Sequence, residues 1–227
     1  MTKVENIICM RRILLIAVIL TTLHSAYAQQ LMKFSVHADP QFAWFSSDEE
    51  NIKPDGAIFH VQTGLQMDLF FTENYAFALG FGISNLGGNL IYSDSAIFFS
   101  SGDTLQVVPG RVIKQNLQYL DIPLGLKLKT EELGYATFFL EMGFNPMFNV
   151  NAFATSKDHT FDKEKIQEST HVFNLGYHAG AGVEYRLGGS TALIGGIRWT
   201  SGLTDVTEND KANITLNAIS IHMGILF

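Results

Sequence analysis

The stretch Gln118–Thr130, "QYLDIPLGLKLKT", decides the fold. From Leu120 to Leu128 every second residue is a large aliphatic: Leu120, Ile122, Leu124, Leu126 and Leu128. Asp121, Pro123, Gly125 and Lys127 stand between them. A period of two is that of a β-strand, whose successive side chains leave opposite faces. One face is entirely apolar, and the other carries an acid, a base and a glycine. A soluble sheet buries the first and wets the second. A membrane barrel turns the apolar face to lipid and the polar face to its lumen.

The rest of the chain repeats this pattern. Alternation predicts eight strands: Gln29–Phe45, Ile58–Phe71, Tyr75–Asn85, the opening stretch extended back to Val112, Tyr135–Val150, His171–Leu187, Thr191–Leu203 and Asn213–Phe227. The sixth sets Phe173, Leu175, Tyr177, Ala179, Ala181, Val183, Tyr185 and Leu187 against Asn174, Gly176, His178, Gly180, Gly182, Glu184 and Arg186. The connections alternate long and short. Ser46–Ala57, Leu86–Arg111, Asn151–Thr170 and Thr204–Ala212 are long, whereas Thr72–Asn74, Glu131–Gly134 and Gly188-Gly189 are tight turns. The apolar patch Ala96–Phe99 in the second long loop is expected to pack on itself or to prolong the strands. This layout predicts an all-β, eight-stranded antiparallel up-and-down transmembrane barrel, with short periplasmic turns and long extracellular loops. Trp44, Tyr75, Tyr135, Tyr185, Trp199 and Phe227 stand where interfacial girdles are expected.

A soluble lipocalin-type barrel is the competing architecture. It would line its interior with the apolar face. The small residues argue against it, because they crowd the polar face of the third and sixth strands. A narrow eight-stranded interior needs them there to make room for polar side chains. Residues 1–28 support export. Lys3, Arg11 and Arg12 precede the apolar Ile13–Leu20, and Ala26-Tyr27-Ala28 fits a cleavage site, so residues 29–227 form the expected barrel domain. The one cysteine, Cys9, lies inside that signal, which leaves no thiol or disulfide beyond it. The formal net charge is −7, and losing the signal makes the remainder more negative still. Nucleic acid is therefore excluded as a partner.

The Tyr119-Leu120-Asp121-Ile122-Pro123-Leu124 stretch continuing to Lys127, the Gly-rich Gly176–Leu187 and the terminal Phe227 together resemble the PorT-like "porin family" outer-membrane barrels of Bacteroidetes-type bacteria. These are similar in architecture to the OmpA transmembrane domain. The resemblance implies integral residence in the bacterial outer membrane after export through a cleaved signal peptide. It implies contact with outer-membrane lipid, and assembly by the barrel-assembly machinery, which would read Phe227 as a C-terminal signal. The long loops, carried on a rigid wall, are where an envelope protein partner is expected. The name "porin" in this group does not imply a pore.

The chemistry-bearing residues fall on the lumen side: His37, Asp39, His60, Asp68, Asp121, Lys127, Glu141, His178, Glu184, Arg186, Arg198 and His222. Histidines with carboxylates are open to a metal or acid–base reading. A narrow lumen must also satisfy its own charges, and a structural network does so without chemistry. The network is the expectation, with no catalytic residue, cofactor or metal. Arg186 and Arg198 are its expected anchors, because a guanidinium bridges several carboxylates, and Glu141 and Asp121 are their expected partners. Gly80-Phe81-Gly82 and Gly180-Ala181-Gly182 lie within strands and are not phosphate loops. The expected function is non-enzymatic: structural, adhesive, or accessory to an envelope complex, a secretion-related one among them. A small-solute pore and a lipid-A-modifying enzyme are the alternatives. Finally, Pro123 lies in a closed wall with no free edge, so a bulge or irregular pairing is expected there.

Overall fold

The computed structural model describes residues 32–93, 96–100, 103–107, 109–157, 162–207 and 212–227. The expected signal peptide, residues 1–28, lies outside the described residues. Eight long strands form the wall: β1 (Met32–Ser47), β2 (Ile58–Phe70), β3 (Tyr75–Tyr92), β4 (Val112–Asp121 continuing as Leu124–Lys129), β5 (Ala136–Ser156), β6 (Phe173–Gly188), β7 (Thr191–Gly202) and β8 (Ile214–Leu226). Each pairs antiparallel with its neighbours in sequence. β8 returns to β1, with Val36 opposite Ile225 and Phe42 opposite Ile219, and so closes the barrel. Closure leaves no sheet edge exposed to lipid, where an unpaired backbone group costs several kcal/mol.

The apolar faces point outward. Phe34, Leu65, Phe77, Leu140, Met142 and Ile221 are among the exposed side chains. The polar partners of the alternation are buried within the wall. Aromatic pairs lie near both ends of this apolar belt. Phe71 stacks on Tyr75 at 6.2 Å and Tyr135 packs on Tyr185 at 6.1 Å near the short turns. Phe148–Phe173 and Tyr177–Trp199 lie toward the long loops.

Two strands run further than alternation of one polarity indicates. β3 continues to Tyr92 and β5 to Ser156, where loops were expected from Leu86 and Asn151. Ile52–Pro54 adds to β3 and Glu164–Lys165 to β5, which widens the sheet beyond the lipid belt. Residues Ala96–Ser100 and Asp103–Val107 form a hairpin of their own, paired only with each other among the described residues. The extension has a core. Phe45, Ile52, Leu90, Ile113, Leu117, Ile166 and Leu216 are buried together there, with Tyr92 and Tyr119.

The sequence explains the extension through an inversion of polarity along β4. Toward its start Ile113 and Leu117 face inward while Lys114, Asn116 and Gln118 face outward. Beyond Tyr119 the phase is unchanged but the chemistry swaps, so that Asp121 and Lys127 are inside and Leu124 is outside. At the swap an amide row crosses the outer surface. The Asn151 amide donates to Gln118 (2.9 Å), Gln118 to Asn85 (3.2 Å), and Asn85 to the Val61 carbonyl (3.1 Å). Above this row the strands behave as ordinary water-soluble sheet around an apolar core. Here burial pushes the Tyr92 phenol well above its usual range, although it accepts a bond from Gln115 (3.1 Å).

Of the bulge or irregular pairing expected at Pro123, the irregular pairing is what forms. There is no bulge, because the register of β4 is the same on both sides of it, against β3 (Gly82–Asp121, then Leu79–Leu124) and against β5 (Asp121–Met147, then Leu124–Phe144). What lapses is the ladder at Ile122 and Pro123. Pro123 has no N–H to offer Gly80, although Gly80 N–H donates to Pro123 O (2.8 Å). Pro146 has none to offer Ile122, although Ile122 N–H donates to Pro146 O (3.0 Å). The wall thus loses one donor on each flank of β4 without changing offset. The register shift lies four residues earlier, at Gln118/Tyr119.

The ring of Pro123 is accommodated by Gly80, since a Cβ there would stand 2.5 Å from Pro123 Cγ. A pyrrolidine cannot swing aside. Gly80→Ala is expected to destabilise the barrel by about 1–3 kcal/mol through overpacking, and Pro123→Ala in the same chain to restore most of it. A double-mutant cycle on urea unfolding in detergent measures this, and additive effects would rule out the contact.

Candidate functional site

The polar residues of the lumen join into three linked groups. The first rests on Lys127, which is fully buried on the second half of β4. Its ammonium lies 2.7 Å from Asp68 and 3.0 Å from Glu184, and 4.6 Å above the Phe139 ring. Lys129 pairs with the other oxygen of Glu184. Asp68 also accepts from Gln66 (2.9 Å), whose amide reaches Glu141 as well (2.9 Å).

The second group rests on Arg198 of β7. Its Nη2 donates to Glu141 (2.9 Å), and its Nη1 stands 3.8 Å from Asp39. His178 Nε2 faces Glu141 at 3.4 Å, and its Nδ1 meets the Asn145 amide. Asn145 and Gln62 in turn donate to Asp121, at 3.1 Å and 2.8 Å. The third group lies at the closing seam. Asp39 of β1 is bonded by His37 Nδ1 (3.0 Å) and His222 Nδ1 (2.9 Å), and accepts from the Met223 N–H (3.1 Å).

Ten of the twelve lumen candidates sit within these groups, and two do not. Arg186, expected as an anchor, reaches the rim instead. Its side chain is half exposed and pairs with Glu132 of the β4–β5 turn at 2.7 Å. Its inward phase places it only two residues before the Gly188-Gly189 turn, and so beyond the lumen. His60 is half-buried near the long-loop end of β2, with a buried Nε2 that has no hydrogen-bond partner. Asp121 is held by amides rather than by a guanidinium. The joints between charges are Gln62, Gln66 and Asn145, and sequence reasoning did not single them out. Their inward phase on β2 and β5 was the available signal.

Apolar side chains close the network at both ends. Phe139, Ala192, Ile194 and Leu226 are buried together toward the short turns, and the core of the extension covers the other end. Among the buried groups of the network, five carboxylates (Asp39, Asp68, Asp121, Glu141, Glu184) face three permanent cations (Lys127, Lys129, Arg198). Lys33, at the short-turn rim, lies over the Phe70 ring at 5.7 Å. Phe227 closes the seam by backbone bonds with Phe34 in both directions, at 2.7 and 3.4 Å.

Known proteins bear on this arrangement. No curated protein matches the sequence. Among solved structures, the chain is similar to Neisserial surface protein A at 13% identity, covering 85% of this chain and 95% of that one, with a TM-score of 0.48. It is similar to OprG from Pseudomonas aeruginosa at 15% identity, covering 87% and 96%, with a TM-score of 0.46. It is similar to Ail, the attachment invasion locus protein of Yersinia pestis, at 12% identity, covering 86% and 97%, with a TM-score of 0.43. A family model described as the outer membrane protein beta-barrel domain matches residues 27–208, most of the wall described above. The chain therefore belongs to the outer membrane protein β-barrel domain family.

Proposed function

We propose that this outer-membrane barrel is non-enzymatic and non-conducting, and that it acts through its extracellular extension. Its role is structural, adhesive, or accessory to an envelope complex. The PorT-like resemblance of Tyr119–Leu124 favours a secretion-related one. The observation that carries this reading is the filled lumen: an interlocked charge network between two apolar closures. A solute would have to displace both closures and break buried ion pairs. The extension, by contrast, is a widened sheet with its own core, a rigid platform of the kind on which binding loops are usually carried. The lumen histidines are held on carboxylates and amides behind the wall, away from lipid, which favours this reading over modification of lipid A. Phe227 serves as the signal for the barrel-assembly machinery in this account.

Purified protein in planar bilayers is expected to give no stable unitary conductance. Regular steps of sizeable conductance would replace this reading with a small-solute pore. Mass spectrometry of lipid A from cells with and without the gene is expected to be identical, and a changed acyl pattern would establish an enzyme.

A further inference from the structure

The closing seam holds an arrangement that the network does not require. β1 and β8 keep one register throughout, but their paired contacts lapse at Ala38, Asp39 and Pro40. Pro40 has no N–H, and the Met223 N–H turns to the Asp39 side chain. At this gap His37, Asp39 and His222 bring three ligand atoms within 4.8 Å of one another, all from buried side chains. Gly64 leaves room for the His37 ring, since a Cβ there would stand 2.8 Å from His37 Nε2.

We propose that His37, Asp39 and His222 bind a divalent transition-metal ion that staples the first strand of the barrel to the last. Two imidazoles and one carboxylate suit ions of the zinc, nickel and ferrous class. Tetrahedral ligands at about 2.1 Å from an ion lie about 3.4 Å apart, so an ion taking the place of the two imidazole protons needs the three atoms to spread by only a few tenths of an ångström. The two imidazole Nδ1 atoms lie 3.0 and 2.9 Å from Asp39 Oδ2. The Met223 N–H orients Asp39 through the other oxygen, as an outer-shell donor does. Charge points the same way. Asp39 is a buried carboxylate whose two imidazole partners carry no permanent charge. Arg198, 3.8 Å from Asp39 Oδ2, opposes the ion, but its closer bond at 2.9 Å draws the guanidinium to Glu141. Because its ligands come from both ends of the chain, the site forms only as the barrel closes. This departs from the metal-free lumen expected from sequence.

The test is to refold the chain lacking residues 1–28 into detergent micelles with Co²⁺ or Zn²⁺, remove loose metal by gel filtration, and measure metal content, the visible Co²⁺ spectrum and heat-modifiable gel migration. The expected result is one ion per folded chain, with at least ~100-fold weaker binding in His37→Asn and His222→Gln and unchanged binding in His178→Gln. A folded wild-type barrel without stoichiometric metal would overturn the proposal, and so would metal retained in both seam variants. If the seam variants do not fold, imidazole ¹⁵N spectra of the zinc-loaded wild type decide. Shifts confined to two histidines are expected, and unshifted rings would overturn the site.

Discussion

Replacing Lys127 by methionine is expected to lower the stability of the folded barrel by about 3–5 kcal/mol, the cost of leaving a buried charge uncompensated. Methionine matches the length of the lysine stem, so packing against Phe139 is kept and the loss isolates the charge. Asp68 and Glu184, both buried, would then face each other across a site with one cation fewer. Lys129 still holds Glu184 but makes no bond to Asp68. The urea midpoint of gel-shift unfolding in detergent measures the effect. Adding Asp68→Asn and Glu184→Gln to the same chain is expected to recover most of the loss, because the neutral isosteres remove what was stranded. A single Lys127→Met change costing under about 1 kcal/mol would mean that the lumen is wet enough to solvate carboxylates.

Met142→Arg is the second large effect, expected at about 2–4 kcal/mol for a guanidinium near the bilayer midplane. Met142 faces outward, is 52% exposed, and sits between Leu126 on β4 and Ala179 on β6. Val150, on the same strand and 49% exposed, lies level with the amide row, so Val150→Arg is expected to cost only about 0–1 kcal/mol. Equal costs at the two positions, measured by reversible unfolding in lipid vesicles, would show the depth assignment to be wrong. Similar surface exposure at both sites means that water alone cannot separate them; only the lipid can.

The sequence revealed most where one chemistry held along a whole face. Leu120 to Leu128 and Phe173 to Leu187 announced their strands because the outward phase is uniformly apolar. The reach of β3 and β5 was hidden because the outward face turns polar past Asn85 and Val150, which resembles a loop when a single polarity is assumed. Asp121 and Lys127 could be assigned to the lumen from phase alone, but their partners could not. Gln62, Gln66 and Asn145 are inconspicuous as residue types and gain their roles from cross-strand registers that a single strand does not encode. Arg186 misled for a related reason: phase gives the face of a strand but not the height along it. At Pro123 the missing N–H was foreseen. Gly80 opposite it was not, and the glycine makes a regular register compatible with the ring.

The inversion at Tyr119 also fixes how deep the barrel rides. Sliding by two residues along a strand moves the wall by about 6–7 Å. In one direction that would drag the amides of Asn85, Gln118 and Asn151 into hydrocarbon; in the other it would lift Leu120 and Phe148 into water. The amide row thus acts as a waterline at one leaflet only. The opposite rim, bounded by aromatic side chains at short turns, has no comparable step. A bilayer of another thickness would therefore be accommodated at that rim, with the lipid stretching or thinning around Phe71, Tyr135 and Tyr185 while the outer surface stays level.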